Sequence, residues 1–407
     1  MVQCPAGGIT VTRPRRLAIL GSTGSLGIQA LEICQRFPDR FDVVALGASG
    51  ARPELLARQA QRFGARWVAI TREQAVERLR SAGVSPPAHV IVAGPDALEQ
   101  VAALPDLDLV VVLTVGLAGL GPTLAALRAG HPVALANKEV LVAAGELMPV
   151  AELVRSGRIL PVDSEHSAIW QSLLGESPLQ VRRLWLTASG GPFWGWSADQ
   201  LRQVTPQQAL AHPTWRMGPR VTVDSATLVN KGFEVIEAHH LFGVGYDAIG
   251  VVVHRQSVVH SMVEFADGSV KAQLSLPDMR LPILFALSYP ERLAYDGVPP
   301  LWGDGTPVAL SFQPLRPGEE PRGIALARQA AQYGRTYPAV LAAADEVAVD
   351  AFLQGRLPFD RILDVVEATL QAHDPERGPL TLQAVRAADA WATKTARERC
   401  TTLTASS

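Results

Sequence analysis

Between Leu17 and Leu160, short β-rich apolar runs alternate with longer stretches of helical periodicity. A parallel sheet covered by helices requires that alternation, because its strands are buried on both faces and read as continuous apolar runs. The predicted strands are Leu17–Leu20, Asp42–Leu46, Trp67–Thr71, His89–Ala93, Leu109–Val115, Pro132–Ala136 and Arg158–Val162. They define a Rossmann-like, doubly wound N-terminal domain over residues 1–162. Beyond Asp163 the pattern turns to mixed strands and loops, with a Trp-rich stretch from Trp194 to Trp215 and a helix predicted from Ser225 to Leu241. Residues 163–290 therefore read as an α+β catalytic domain. Asp296–Pro321 is rich in Pro and Gly and has little periodicity, so 291–321 reads as a surface linker. Helical periodicity returns in Ile324–Tyr333, Pro338–Gln354, Asp360–His373 and Leu380–Glu398, predicting a C-terminal helical bundle over 322–407.

Length and composition narrow the class. A chain of 407 residues exceeds the size of one hydrophobic core, and 48% apolar with 19% charged residues excludes a largely disordered chain. The formal net charge of −2 leaves no overall footprint for nucleic acid or an anionic membrane, which favours a small-molecule partner. Cys4, Cys34 and Cys400 have neither disulfide-framework nor zinc-site spacing and fit a reducing cytoplasm. The first sixteen residues hold Arg13, Arg15 and Arg16 without the apolar run of a signal peptide, and no apolar run is long enough to span a bilayer. A soluble cytoplasmic protein is expected.

Candidate chemistry begins directly after the first strand, at Gly21-Ser22-Thr23-Gly24-Ser25-Leu26-Gly27, which opens a helical stretch running to Phe37. Glycines there let the backbone turn tightly and approach a pyrophosphate at a helix N-terminus; a plain strand–helix turn has the same appearance. The second strand ends in Gly47-Ala48-Ser49-Gly50-Ala51-Arg52, without the acid that binds the ribose hydroxyls of NAD. The Ser49 hydroxyl and the Arg52 guanidinium suit a 2′-phosphate and hence NADPH; alternatively Arg52 is a solvated helix-start residue paired with Glu54.

Asp163 and Glu165 flank Ser164 just past an apolar strand, so their carboxylates project the same way if the strand conformation persists. With Glu234 they form an oxygen-only set suited to Mg²⁺ or Mn²⁺; taken alone, any one of them reads more readily as a helix cap or surface charge. Ser225, Asn230 and Lys231, together with the small-residue turn Ser189-Gly190-Gly191, suit a phosphate. Ser225 also reads as an N-cap. His212-Pro213-Thr214-Trp215-Arg216-Met217-Gly218 reads as a water-excluding aromatic lid, or its Trp215 and Met217 as ordinary core.

In their order along the chain, the glycine turn, Ala136-Asn137-Lys138-Glu139, Pro161-Val162-Asp163-Ser164-Glu165-His166, the Ser189 turn, the His212 loop, Asp224–Glu234 and Pro277-Asp278-Met279-Arg280 resemble the 1-deoxy-D-xylulose 5-phosphate reductoisomerases. The resemblance covers the chain from about residue 15 to the C-terminal helices and is densest between 160 and 282. It implies that Asp163, Glu165 and Glu234 bind a divalent metal, that Ser164 touches the substrate beside it, and that Lys231 is catalytic as well as substrate-binding. Ser189, His212, Ser225, Asn230 and Lys231 would hold the substrate's phosphate and adjoining hydroxyls. For the cofactor it implies Thr23, Gly24, Ser25 and Leu26 on the pyrophosphate side, following Gly21, with Asn137, Lys138 and Glu139 nearer the ribose and nicotinamide. Ser49, Gly50, Arg52 and Gly218 are counted with the cofactor contacts. The implied reaction is a metal-assisted rearrangement and NADPH reduction to 2-C-methyl-D-erythritol 4-phosphate, run by a homodimer.

The chain departs from the family pattern at Ala51, where Asn is usual, at Arg220, where Lys is common, and at His254-Arg255-Gln256-Ser257, in place of His-Pro-Gln-Ser. The rival readings are a simple NAD(P)-dependent dehydrogenase, which needs no three-carboxylate site, and a catalytically silent dinucleotide sensor, which needs neither the acids nor Lys231.

Overall fold

The structure is a computed structural model that describes residues 13–211, 214–215, 217–303, 305, 308–316, 318–375 and 378–405. The chain forms two compact units, one of 1–114 with 121–133 and one of 115–120 with 134–407. Residues 134–162, read from the sequence as part of the first domain, thus fall in the second unit.

In the first unit β1 (Arg15–Leu20), α1 (Ser25–Arg36), β2 (Phe41–Ala48), α2 (Pro53–Phe63), β3 (Trp67–Ile70), α3 (Val76–Ser81), β4 (Val90–Ala93), α4 (Ala97–Ala102), β5 (Leu109–Val112) and α5 (Leu120–Arg128) alternate as predicted. The strands pair in parallel in the order β4-β3-β2-β1-β5, with Leu20 beside both Gly47 and Val112. Leu17–Leu20 and Val110–Val112 are fully buried, which is why these runs carry no polar alternation. The order reverses at β1, since β2 lies on one side of it and β5 on the other. Ligands of such sheets bind outside the strand carboxyl ends at that point, where the glycine turn lies. Gly21 has φ +92°, and a Cβ on it would stand 2.5 Å from the Leu113 carbonyl oxygen. A Cβ on Gly27 would stand 2.3 Å from the Gly21 carbonyl oxygen, so Gly21 is required by conformation and by space, and Gly27 by space alone.

The second unit continues with β6 (Val133–Leu135), α6 (Lys138–Ala144), α7 (Val150–Arg155), β7 (Ile159–Pro161), α8 (Ser164–Leu173), β8 (Val181–Ala188), α9 (Ala198–Leu201), α10 (Pro206–Ala209), α11 (Pro219–Thr227) and α12 (Val229–Phe242). Then come β9 (Ile249–Val253), β10 (Val259–Phe265), β11 (Val270–Leu274), α13 (Arg280–Ser288), β12 (Gln313–Pro314), α14 (Arg322–Tyr333), α15 (Tyr337–Leu353), α16 (Ile362–Gln371) and α17 (Leu382–Ala405). A mixed sheet runs β11-β10-β8-β9-β12, in which only β8 and β9 are parallel. The proposed linker is thus more than a drape, since its Gln313–Pro314 pairs with β9. The predicted C-terminal helices all form, and they share one core with the site-bearing helices: Val223, Val229, Phe233 and Ile236 pack with residues of α14 to α17.

Two local expectations are corrected. The predicted helix Ser225–Leu241 is two helices broken at Leu228, which has φ +61°. Ser225 accordingly sits late in α11 and is not an N-cap. The strand before Asp163 does not persist: β7 ends at Pro161, and Asp163 caps α8 by accepting from the Ser164 N–H at 3.0 Å. The cap places Asp163 and Glu165 at the first turn of a helix, where the unpaired N–H groups favour acids.

Candidate active site

The cap of α8 and the break between α11 and α12 bring the carboxylates together. Oxygens of Asp163, Glu165 and Glu234 lie within 4.8 Å of one another. Glu234 is 1% exposed, and so buried an acid needs cations and donors beside it. Lys138 supplies one cation, its ammonium lying 2.7 Å from Asp163 Oδ2 and 3.0 Å from Glu234 Oε1 while donating to Asn230 Oδ1 at 2.8 Å. Lys231 supplies the other, 2.7 Å from Glu165 Oε1 and in contact with Glu234 Oε2. Asn230 Nδ2 donates to Glu234 Oε1, and the Ser164 hydroxyl donates to Glu165 Oε2 at 2.6 Å.

These neighbours set the protonation states. Burial pushes the Asp163 carboxyl up, but Lys138 and His166 outweigh it and hold the group well below the usual carboxylate range. Burial likewise opposes the Glu165 carboxylate, and the Lys231 ammonium outweighs it to lower the pKa. Glu234 is raised, by burial first and by Glu165 second, against Lys138 and Lys231. Both lysines stay charged despite burial, Lys138 held up by Asp163 and Glu234, Lys231 by Glu165 and Glu234. Three convergent carboxylates, only partly balanced by the Lys138 and Lys231 ammonium groups, are an oxygen-only donor set that fits Mg²⁺ or Mn²⁺.

Three features of this cluster were not assigned from the sequence. Lys138, expected among the cofactor contacts, has its ammonium among the carboxylates. His166, fully buried, stands 2.9 Å from the Glu234 carbonyl oxygen through Nε2 and 3.2 Å from the buried Glu237 carboxylate through Nδ1. Only the i, i+3 spacing of Asp163 and His166 hinted at it. Arg220, at the family's lysine position, lies 2.8 Å from Glu346 on α15 and 3.6 Å from Glu139, tying the start of α11 to the C-terminal helices. Asp224 faces the same network with Asp345, and burial pushes both carboxyls up, Asp345 to about 7.

Ser189, Ser225, Asn230 and Lys231 line one cavity of about 90 Å³ with the three carboxylates, Lys138 and Ser164. Trp215 and Met217 line it too and are half-buried, which separates them from ordinary core. The Trp215 ring lies 5.9 Å from that of His260, and Thr214 Oγ1 is 3.2 Å from Ser257 Oγ. His254, Ser257, His260 and Met279 also line it, although the sequence assigned none of them a role at the site. His212, Pro213 and Arg216 of the lid segment lie outside the described residues.

The nucleotide candidates fall in both units. In the first, Thr23 to Leu26 open α1 at the end of β1, with Gly24 as its N-cap. Two residues of the α2 segment tie down the turn's carbonyls: Gln59 Nε2 donates to Ser22 O at 2.9 Å, and Arg52 Nη2 donates to Thr23 O. A helix start leaves its first-turn N–H groups without intrahelical partners, and α1 opens directly from this turn. Glu54 pairs with Arg78 at 2.8 Å, so the alternative pairing of Arg52 with Glu54 is not formed. Ser49 Oγ accepts weakly from Ala51 N at 3.4 Å, and Gly50 has φ +88° with Ile70 filling the space of its missing side chain. In the second unit Asn137 caps α6 by accepting from Val140 N, and it donates to Gly116 O at 2.8 Å; with 1% exposure its amide is committed to the fold. Glu139 follows in the first turn of α6, and Gly218 is the N-cap of α11.

Models of the 1-deoxy-D-xylulose 5-phosphate reductoisomerases match residues 17–145, and models of their C-terminal domains match 159–242 and 274–395. A curated reductoisomerase of that name from Pseudarthrobacter chlorophenolicus is 51% identical over 394 residues, covering 95% of this chain and 98% of its own. This chain belongs to the 1-deoxy-D-xylulose 5-phosphate reductoisomerase family. The solved reductoisomerase from Zymomonas mobilis in complex with NADPH is 39% identical, with a TM-score of 0.85 over 95% of this chain and 99% of that one. A second reductoisomerase, in complex with NADPH, fosmidomycin and magnesium, is 37% identical with a TM-score of 0.86, covering 96% and 99%.

Proposed function

We propose that this chain converts 1-deoxy-D-xylulose 5-phosphate to 2-C-methyl-D-erythritol 4-phosphate, in the non-mevalonate supply of isoprenoid precursors, using NADPH and a divalent cation. The carrying observation is the placement of three carboxylates and two ammonium groups against the Ser189, Ser225 and Asn230 lining of one cavity. A cation held by Asp163, Glu165 and Glu234 supplies charge stabilisation for negative oxygen as the carbon skeleton rearranges, and NADPH supplies the hydride.

The chain's own groups do the rest. Lys231, with Ser189, Ser225, Asn230 and His212, binds the phosphate and adjoining hydroxyls, the ammonium contributing a charge-assisted bond. Lys138 holds Asp163 ionised and ties it to Glu234. Ser164 orients Glu165 by its hydrogen bond and touches the substrate beside the cation. Trp215 and Met217 exclude water above the reacting carbon. Thr23, Gly24, Ser25 and Leu26 receive the pyrophosphate after the Gly21 turn, Ser49, Gly50 and Arg52 the 2′-phosphate side, and Asn137, Lys138, Glu139 and Gly218 the nicotinamide half.

The functional division proposed is 1–162 for NADPH, 163–290 for metal and substrate, 291–321 as linker and 322–407 as helical domain. A cytoplasmic homodimer is proposed as well, able to use Mn²⁺ as well as Mg²⁺. The buried free thiols of Cys34 and Cys400 suit a reducing compartment, and β11 ends its sheet with an exposed edge that a second copy would cover. Among the described residues no helix is long and apolar enough to cross a membrane.

NADPH oxidation in the presence of 1-deoxy-D-xylulose 5-phosphate, with and without divalent metal, tests the activity. Cofactor choice has its own test. Arg52→Ala is expected to narrow the preference for NADPH over NADH roughly tenfold, the worth of one charged hydrogen bond of about 1.5 kcal/mol, with the loss falling on NADPH. An unchanged ratio of kcat/KM for the two cofactors would leave Arg52 only its observed task of bracing the Thr23 carbonyl.

A further inference from the structure

We infer that Arg255 is a positioning residue for the phosphate side of the substrate cavity, acting through the Ser189-Gly190-Gly191 turn. The inference rests on the reading of that turn as part of the phosphate pocket. Arg255 Nη1 donates to the Ser189 carbonyl oxygen at 2.5 Å and to the Gly191 carbonyl oxygen at 2.9 Å, so one nitrogen clamps the turn on both sides of Gly190. The turn has little freedom to answer in another way. Gly190 and Gly191 have φ of +80° and +68°, and a Cβ on Gly191 would stand 2.6 Å from the Ser225 carbonyl oxygen, so the turn lies directly against the backbone of α11. Ser189 Oγ is oriented within it, accepting from Gly191 N at 3.1 Å.

The base from which Arg255 reaches is fixed. His254, fully buried, accepts through Nε2 from the Val258 and Val259 N–H groups at 3.1 Å each, while its Nδ1 lies 2.9 Å from the Ser311 carbonyl oxygen. Its own N–H donates to the Ala188 carbonyl oxygen at 2.7 Å, which joins this turn to the end of β8 just before Ser189.

The consequence is electrostatic as well as geometric. A carbonyl oxygen facing a phosphate dianion repels it, whereas an N–H facing it attracts. Because the peptide is planar and trans, turning the Ser189 carbonyl toward the guanidinium turns the Gly190 N–H away from it. Ser189 and Gly190 both line the substrate cavity, so the orientation of the peptide between them decides which end of its dipole an anion meets. In this chain the guanidinium supplies both the clamp and a positive charge behind it.

The test is steady-state kinetics on Arg255→Ala, Arg255→Lys and Ser225→Ala, with inorganic phosphate as a competitive inhibitor. Arg255→Ala is expected to raise KM for the phosphorylated substrate and Ki for phosphate roughly five- to tenfold, to leave kcat and the KM for NADPH within about twofold, and to be partly rescued by lysine. Weakened phosphate in Ser225→Ala with no change in either Arg255 variant would overturn the inference alone. Unchanged phosphate inhibition in all three variants would overturn the phosphate reading of the pocket, and the inference with it. A fall in Tm with KM and Ki unchanged would reduce Arg255 to a structural brace and also overturn it.

Discussion

Replacing Glu234 by Gln is expected to lower kcat by roughly a thousandfold or more while the Kd for NADPH stays within about twofold. Gln keeps the shape of the side chain and removes its charge from a position 1% exposed, leaving Lys138 and Lys231 to share two carboxylates instead of three. A Lewis-acid cation contributes several kcal/mol to transition-state charge stabilisation, and each 1.36 kcal/mol is a factor of ten in rate. Unpairing buried ammonium groups also costs stability, about 3–5 kcal/mol where a buried pair is broken, so the kinetics belong beside a thermal melt. Fluorescence titration of NADPH checks the cofactor side, because the glycine turn belongs to the other compact unit. Near-native turnover of folded Glu234→Gln at limiting Mg²⁺ or Mn²⁺ would remove Glu234 from the metal set.

Removing Lys231 should weaken a phosphonate that carries a metal-chelating hydroxamate by roughly ten- to a hundredfold, the worth of a charge-assisted hydrogen bond of about 1.5–3 kcal/mol. Such a compound engages two neighbouring features at once: the carboxylate-held cation through the hydroxamate, and the Ser189, Ser225, Asn230 and Lys231 lining through the phosphonate. Lys231 touches both, since its ammonium is bound to Glu165 and Glu234. Competition with substrate should therefore weaken in Lys231→Ala and, separately, on treatment with a chelator. Affinity that survives chelation unchanged would show that the hydroxamate and the carboxylates do not meet.

How legible these parts were depended on whether their cause is local. The strands of the first unit are local, because each is a continuous apolar run buried on both faces, and the predicted Leu17–Leu20, Trp67–Thr71 and His89–Ala93 differ from the folded strands by at most two residues at either end. The C-terminal helices were equally plain from periodicity. The break at Leu228 was not, since no Gly or Pro marks it and a leucine takes a left-handed conformation only because the surrounding fold requires it. Asp163 and Glu165 do converge, but by a route other than the one expected: the convergence comes from a capped helix, and alternation along a strand plays no part in it.

Tertiary partners were the least visible. Lys138 stands 96 residues from Glu234 and His166 stands 68 from it, and nothing in either local motif says that they meet. Arg255 was conspicuous as a departure from the family pattern, yet its use appears only once the carbonyls of Ser189 and Gly191 are seen within its reach.

The most direct test of the proposed reaction is NADPH oxidation by chelator-treated protein given 1-deoxy-D-xylulose 5-phosphate, followed by absorbance and by analysis of the product. Negligible oxidation is expected without a divalent cation, with recovery on adding Mg²⁺ or Mn²⁺ and one branched 2-C-methyl-D-erythritol 4-phosphate formed per NADPH consumed. Full turnover by the metal-free protein, or NADPH consumption that leaves the carbon skeleton unrearranged, would contradict it.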